Sequence, residues 1–327
     1  MRLTATRASV TSGGGVAITA LPDFTYGITS AGGVFNLRSA GTVNYDVEWG
    51  DGDAETSTLN TLPHTYAAGD YSLLVDSSGV YRPFFNNVTA DANQITSVAI
   101  GSGADLGTNL QNAWFGATNM TSFVCPFSVT SGVTGFNNTW RNCNSLTSFP
   151  LIDTSSGTNF SGAWSICESL TSFPQIDTSS GTNFSEAWRI CQSLTSFPQI
   201  DTSSGTNFSL AWYNCNQITS FPLLDMSSAT ILTGAWIFCA KLATFPAHMF
   251  DTTGALVPTA FNQAFFLCAL TAQSIENILV SLDTNGASNI TLGIDGGTNA
   301  AKTTWTTAAN TAYTNLINKG WTISFNA

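Results

Sequence analysis

Asp153, Asp177, Asp201 and Asp225 recur at a fixed step of 24 residues. A row of carboxylates at constant spacing is a pattern that can do chemistry. Facing pairs can hold a cation, or act as acid and base on a glycosidic bond. The same aspartates have a plainer use, because Asp201-Thr202-Ser203-Ser204-Gly205 is turn sequence, in which Asp and Ser side chains satisfy nearby backbone N–H groups. Turn capping is therefore the expected role. Asp51 and Asp53 lie in the run Trp49-Gly50-Asp51-Gly52-Asp53, which lacks the D-x-[DN]-x-[DN]-G and later Glu of a calcium loop and reads as a tight turn. His64 has no His or Cys beside it and reads as a packed or capping histidine, and the second histidine, His248, is far along the chain. No C-x-x-C pair occurs, no Gly-rich phosphate loop carries a Lys, and the glycines of Ser12–Gly15 lack a strand–helix setting. The expectation is a non-enzyme without catalytic residues, cofactor or metal.

Seven cysteines are present, and five keep the 24-residue step: Cys143, Cys167, Cys191, Cys215 and Cys239. Cys268 follows in a variant unit and Cys125 stands outside the row. One Cys per unit in a constant apolar context has no local partner for a disulfide, so a ladder of buried thiols is expected.

Composition narrows the function classes. Charged residues make up 9% of the chain, against about 25% usually. Ser, Thr, Asn and Gly supply the surface in their place. The formal net charge is −11 and the nine basic residues are scattered, which argues against nucleic-acid binding and against anionic membrane surfaces. No apolar run is long enough to span a bilayer. The N-terminal MRLTATRASVTSGGG has two arginines but no apolar stretch of signal-peptide length behind them, so synthesis in a cytoplasm without the usual export signal is expected.

The aspartates and cysteines are positioned by a repeat. Trp140, Trp164, Trp188, Trp212 and Trp236 keep the same 24-residue step, as do Phe149, Phe173, Phe197, Phe221 and Phe245, each followed by Pro. Ser169–Ser185 and Ser193–Ser209 are identical in sequence. A period between about 20 and 50 residues marks stacked units. Within Asn183–Asp201 the large apolar residues are Phe184, Trp188, Cys191, Leu194, Phe197 and Ile200. Their spacing predicts a helical or 3-10 segment over Phe184–Cys191 and a short extended segment over Leu194–Phe197, ended by Pro198. One unit cannot bury this face alone, so stacking must supply the stability. Imperfect units at Trp114 and Phe265–Cys268 bracket the regular ones. Beyond them, Gln273–Asp283 and Ala300–Lys319 predict helices, the second stopped by Gly320, and Thr291–Ile294 and Trp321–Phe325 predict strands.

Two resemblances follow from these motifs. YDVEWGDGDAE and HTYAAGDYSLLV, over about 45 residues, resemble the polycystic-kidney-disease (PKD) type domain, which implies a small immunoglobulin-like β-sandwich acting as spacer or adhesion module. The pattern A-[WF]-x-x-C-x-x-L-T-S-[FI]-P, carried for example by Ala187-Trp188, Cys191, Leu194, Thr195, Ser196, Phe197 and Pro198, resembles the treponemal-type leucine-rich repeat of bacterial surface protein A-like proteins. That family implies a right-handed solenoid with one short strand per coil, and mostly adhesin or binding roles. Trp in place of the commoner Phe is a departure that keeps a large aromatic core. The expected fold is mainly β with short helices. An N-terminal arm spans residues 1–25, a PKD-like sandwich 26–90, a leucine-rich-repeat-like solenoid of about seven coils 91–271, and an αβαβ cap 272–327.

The units differ at two positions. After each Trp come Arg141, Ser165, Arg189, Tyr213 and Ile237, and two before it come Asn138, Gly162, Glu186, Leu210 and Gly234. On one face these residues would form a varied strip on a constant scaffold, the arrangement that repeat proteins use for recognition; drift on a solvent-facing turn would give the same variation. Both resemblances lead to bacteriophage virion proteins as well as bacterial adhesins. The expectation is a virion protein made in the host cytoplasm, acting in host attachment as a tail fibre or in capsid decoration. Its partners would be other virion proteins through the arm and a host surface glycan or protein, with oligomerisation expected. A cell-surface adhesin and a structural spacer or cement protein are the alternatives.

Overall fold

The computed structural model describes residues 22–41, 43–86 and 88–327. The fold is mainly β with few, short helices. Six strands join one mixed sheet in the order β3-β2-β4-β1-β5-β6. They are β1 (Phe24–Arg38), β2 (Tyr45–Glu48), β3 (Ala54–Ser57), β4 (Thr61–Ser77), β5 (Ile95–Ile100) and β6 (Ser122–Val124), with a single turn of helix, α1 (Thr89–Ala92), before β5. Phe24, Tyr26 and Ile28 alternate inward at one end of β1, and Phe35 and Leu37 at the other, as the two-residue period of a half-buried strand requires. Between these halves Gly32 is skipped in the pairing with β4, where Ala31 faces Ala68 and Gly33 faces Tyr66. Its φ of +94° is open to glycine without cost.

Residues 1–21 lie outside the described residues, so most of the expected arm does too. Phe24 and Thr25, assigned to that arm, instead begin β1, and Phe24 is buried against Tyr81 with ring centres 4.9 Å apart. The expected boundary at 90/91 also falls inside a continuous structure. β1 pairs antiparallel with β5, and β5 pairs parallel with β6. Asp91 closes the same junction: its buried carboxylate accepts from the Arg38 guanidinium at 2.7 Å and from the Asn36 N–H at 3.0 Å.

From Gly135 onward the 24-residue units stack in register, after a first step of 26 residues from Asn109. Parallel bridges run from Gly135 to Asn159, Asn183, Asn207 and Ile231. The expected helical segment is absent. Over Phe184–Cys191 the chain makes consecutive turns, with alternate N–H groups pointing two ways. Those of Phe184, Glu186, Trp188 and Ile190 donate to Asn207, Ser209, Ala211 and Tyr213 carbonyls of the next unit at 2.7–2.9 Å. Those of Ala187, Arg189 and Cys191 donate to the carbonyls three residues back at 3.1–3.2 Å. A helix would keep all these bonds within the segment. Here half of them need the neighbouring unit. The change of direction comes from left-handed residues at Glu186 (φ 56°) and Ile190 (φ 61°), which no helix contains. Leu194–Phe197, expected as an extended segment, forms no strand.

The unit sequence explains the rest of the packing. The Trp114, Trp140, Trp164, Trp188, Trp212 and Trp236 rings stack with centres 5.4–5.8 Å apart. Each of Phe149, Phe173, Phe197 and Phe221 meets the Trp of its own unit edge-on at 4.7–4.8 Å. Such pairs add about 0.5–1.5 kcal/mol beyond area burial. At the far end α2 (Ala272–Asn285) starts on a Thr271 cap and stops at Gly286, with Ile275, Ile278, Leu279 and Leu282 buried as the spacing predicts. β7 (Thr291–Ile294) continues the stack, since Phe265 and Leu267 donate to the Gly293 and Asp295 carbonyls. α3 (Thr307–Asn318) begins at a Thr306 cap, later than Ala300, because Lys302–Thr304 form a separate 3-10 turn. β8 (Thr322–Phe325) pairs parallel with β7.

Candidate functional site

The varied residues occupy one lateral row, but they are not equally accessible. Asn138, Gly162, Glu186, Leu210 and Gly234 all have left-handed backbones, with φ between 52° and 62°. That conformation explains Asn and Gly there; for Glu186 and Leu210 it costs about 1–2 kcal/mol each. Gly162 and Gly234 are buried under their neighbours: a Cβ at Gly162 would sit 2.4 Å from Asn138 Oδ1, and one at Gly234 would sit 2.8 Å from Leu210 Cδ2. Ser165 is fully buried and Ile237 is 8% exposed. These four therefore correct the expected strip, because they support the row and do not present it.

The half-exposed members are joined along the stack. Arg141 reaches over the gap left by Gly162 to Glu186, Nη1 to Oε2 3.2 Å, and also meets Asn138 Oδ1 at 3.3 Å. Arg189 lies over the Tyr213 ring at 5.0 Å and makes no ion pair among the described residues. Tyr213 meets Phe238 edge-on at 5.4 Å, and Phe238 meets Phe266 at 6.3 Å. Phe238, 38% exposed, was not legible as a member because it sits two residues after Trp236, where other units carry Asn142, Ile166, Ile190 and Asn214. All five of those positions are left-handed, with φ 58–63°. A signal was present in this change of type, since Asn suits such a backbone and Ile does not.

The other chemistry-bearing rows are built for packing. Asp153, Asp177 and Asp201 each accept from the N–H and the hydroxyl of the Ser two residues on, at 2.9–3.0 and 2.6–2.7 Å, and Asp225 accepts from the Ser227 N–H at 2.8 Å. The Ser179 hydroxyl and N–H hold the Asp177 carboxyl below its usual range. Each carboxylate is thus turned into its own turn. The six thiols of the ladder are buried and unpaired as disulfides. Each donates to the main-chain carbonyl of the Trp in the preceding unit, for example Cys167 to Trp140 at 3.2 Å and Cys215 to Trp188 at 3.1 Å. Burial pushes the Cys167 and Cys239 thiols up to about 12 and raises the others as well. Neutral thiol donors of this kind are poor nucleophiles and poor metal ligands.

One cluster joins residues that the sequence separates. His64 Nε2 lies 2.7 Å from Asp51 Oδ2, and ligand atoms of Asp51, Asp53 and His64 all fall within 4.8 Å of one another. The imidazole is stacked on Trp49 at 4.4 Å, so His64 is packed as expected while one ring nitrogen faces the carboxylates. Among the described residues no helix is long and apolar enough to cross a membrane. Comparison with family models, with curated proteins and with solved structures finds no match for the chain.

Proposed function

We propose that the chain is a non-enzymatic surface protein of a bacteriophage particle, built as a leucine-rich-repeat-like solenoid with a PKD-like N-terminal module, and that it acts in host attachment. The observation that carries this reading is the contrast between rows. Trp, Cys and Phe recur unchanged inside the stack, while Arg141, Glu186, Arg189, Leu210, Tyr213 and Phe238 change from unit to unit along one lateral row. A scaffold that holds its core constant and varies one row is suited to recognition across an extended surface. The row mixes a guanidinium, a carboxylate and aromatic rings, a composition suited to a host glycan or protein. The reading of the N-terminal module rests on its motif residues meeting: Trp49 stacks on His64, and the Tyr66 hydroxyl donates to the Trp49 carbonyl at 2.8 Å. Residues 1–21 would dock the chain onto other virion proteins.

Immunogold imaging of particles from the source culture, with antibody to residues 94–271, tests the reading. Label at tail tips supports attachment. Label spread over heads means capsid decoration through the arm. Absence of label from every particle overturns the virion assignment and leaves a cell-surface adhesin.

A further inference from the structure

We infer that Asp51, Asp53 and His64 form a binding site for a divalent first-row transition-metal ion such as Zn²⁺. The Asp51–His64 contact by itself would be an ordinary pair closing a turn. Asp53 is what that account leaves over. Its carboxylate lies within 4.8 Å of both other ligand atoms, yet it accepts no hydrogen bond among the described residues. Two carboxylates held this close repel each other, and in a chain of net charge −11 no Lys or Arg among the described residues pairs with either. A turn alone needs no second Asp there.

The backbone holds the three residues in place. Gly50 (φ +83°) is pressed onto β4 so closely that a Cβ would lie 2.6 Å from the Ser72 carbonyl oxygen. The Trp49 N–H donates to the Asp53 carbonyl at 2.9 Å, and the Asp53 N–H donates to Asp51 Oδ1 at 3.2 Å. His64 is flat on Trp49 and edge-on to Tyr66 at 4.6 Å, so the direction of its ring nitrogens is fixed by packing. Its side chain is 11% exposed and that of Asp51 23%, which leaves the carboxylate side open to solvent. Bonds of about 2.1 Å in a tetrahedral site put ligand atoms about 3.4 Å apart. The 2.7 Å contact between His64 and Asp51 opens to that value when the ion replaces the shared proton, and rotation of the Asp53 carboxylate brings its oxygen in from within 4.8 Å. One imidazole with two carboxylates favours Zn²⁺, Co²⁺ or Mn²⁺ over the all-oxygen preference of Ca²⁺. Water fills the remaining positions. The bound ion ties the turn between β2 and β3 to β4.

The test is calorimetric titration of the untagged, reduced chain with ZnSO₄, alongside thermal unfolding with and without the metal. One saturable site and a metal-dependent rise in Tm are expected. Asp53→Asn keeps the backbone contacts of the turn and relieves the repulsion, so it should hold or slightly raise the metal-free Tm while weakening binding about tenfold or more. His248→Ala removes the other imidazole and should change nothing. Co²⁺ bound at the site should show no thiolate charge-transfer band. Absence of saturable binding below 1 mM Zn²⁺, wild-type affinity in Asp53→Asn, or equal affinity for Ca²⁺ would each overturn the inference. None of these outcomes bears on the attachment role, which rests on the lateral row.

Discussion

Raising the pH from 8 to 10 should unfold this protein far more steeply than ordinary surface titration allows. The perturbation acts on the ladder of Cys143, Cys167, Cys191, Cys215, Cys239 and Cys268. In the unfolded chain a thiol ionises near its ordinary value of 9.0, whereas burial raises all six in the folded state, Cys167 and Cys239 up to about 12. A folded pKa above the unfolded one means that the native state retains protons which the unfolded state sheds. The stabilisation is therefore complete below pH 9 and is lost as the pH rises from 9 toward 12. Between pH 9 and 10 each thiol loses RT ln(11/2), about 1 kcal/mol, and six lose about 6 kcal/mol. That is comparable with the whole stability of a typical domain, about 5–15 kcal/mol. Tyr26 and Tyr81, also raised by burial, have an ordinary value of 10.0 and add most of their effect above this window. The assay is urea unfolding followed by Trp fluorescence in reducing buffer at pH 8, 9 and 10. The midpoint should fall sharply over the last unit. The double variant Cys191→Ala, Cys215→Ala should be less stable at pH 8 but lose about 2 kcal/mol less between pH 9 and 10, about 1 kcal/mol for each thiol removed. A midpoint that stays constant from pH 8 to 10 would refute the buried neutral-thiol account.

Two substitutions test the packing of the stack. Trp188→Ala removes a fully buried ring that stacks between Trp164 and Trp212 and meets Phe197 edge-on, and should cost about 3–5 kcal/mol in urea unfolding. Gly205→Ala places a Cβ 2.4 Å from Phe208 Cζ and 3.0 Å from the Thr202 carbonyl oxygen, and should cost about 1–3 kcal/mol. Gly132→Ala, whose Cβ would meet nothing within 4 Å, is the control and should stay within about 0.5 kcal/mol of wild type.

The sequence revealed the stack more fully than the path of the chain within a unit. Rows of Trp, Phe and Cys at one step have to face one another, because no single unit can bury them. The four-then-three spacing of Phe184, Trp188 and Cys191 suggested a helix, yet the same spacing serves a run of turns whose alternate N–H groups bond across units. Propensity at Glu186 and Ile190 gives no hint of their left-handed backbone, since neighbours in the stack impose it. The helices beyond the repeat were easier to read, because Thr271 and Gly286 are local start and stop signals for α2. In the lateral row, variation alone could not separate Tyr213, which is half-buried, from Ser165, which is buried beneath its neighbours. The meeting of Asp53 with His64 was hidden for a different reason. It depends on how β4 returns beside β2, a long-range pairing with no local signature.

The proposed attachment through the lateral row is tested most directly by competition for host adsorption. Purified wild-type chain, added to host cells before the particles, should block adsorption in a saturable way. The variant Arg189→Ala, Tyr213→Ala, Phe238→Ala, checked for wild-type circular dichroism, should fail to block it. Blocking by this variant at the wild-type concentration would contradict the assignment of recognition to the row.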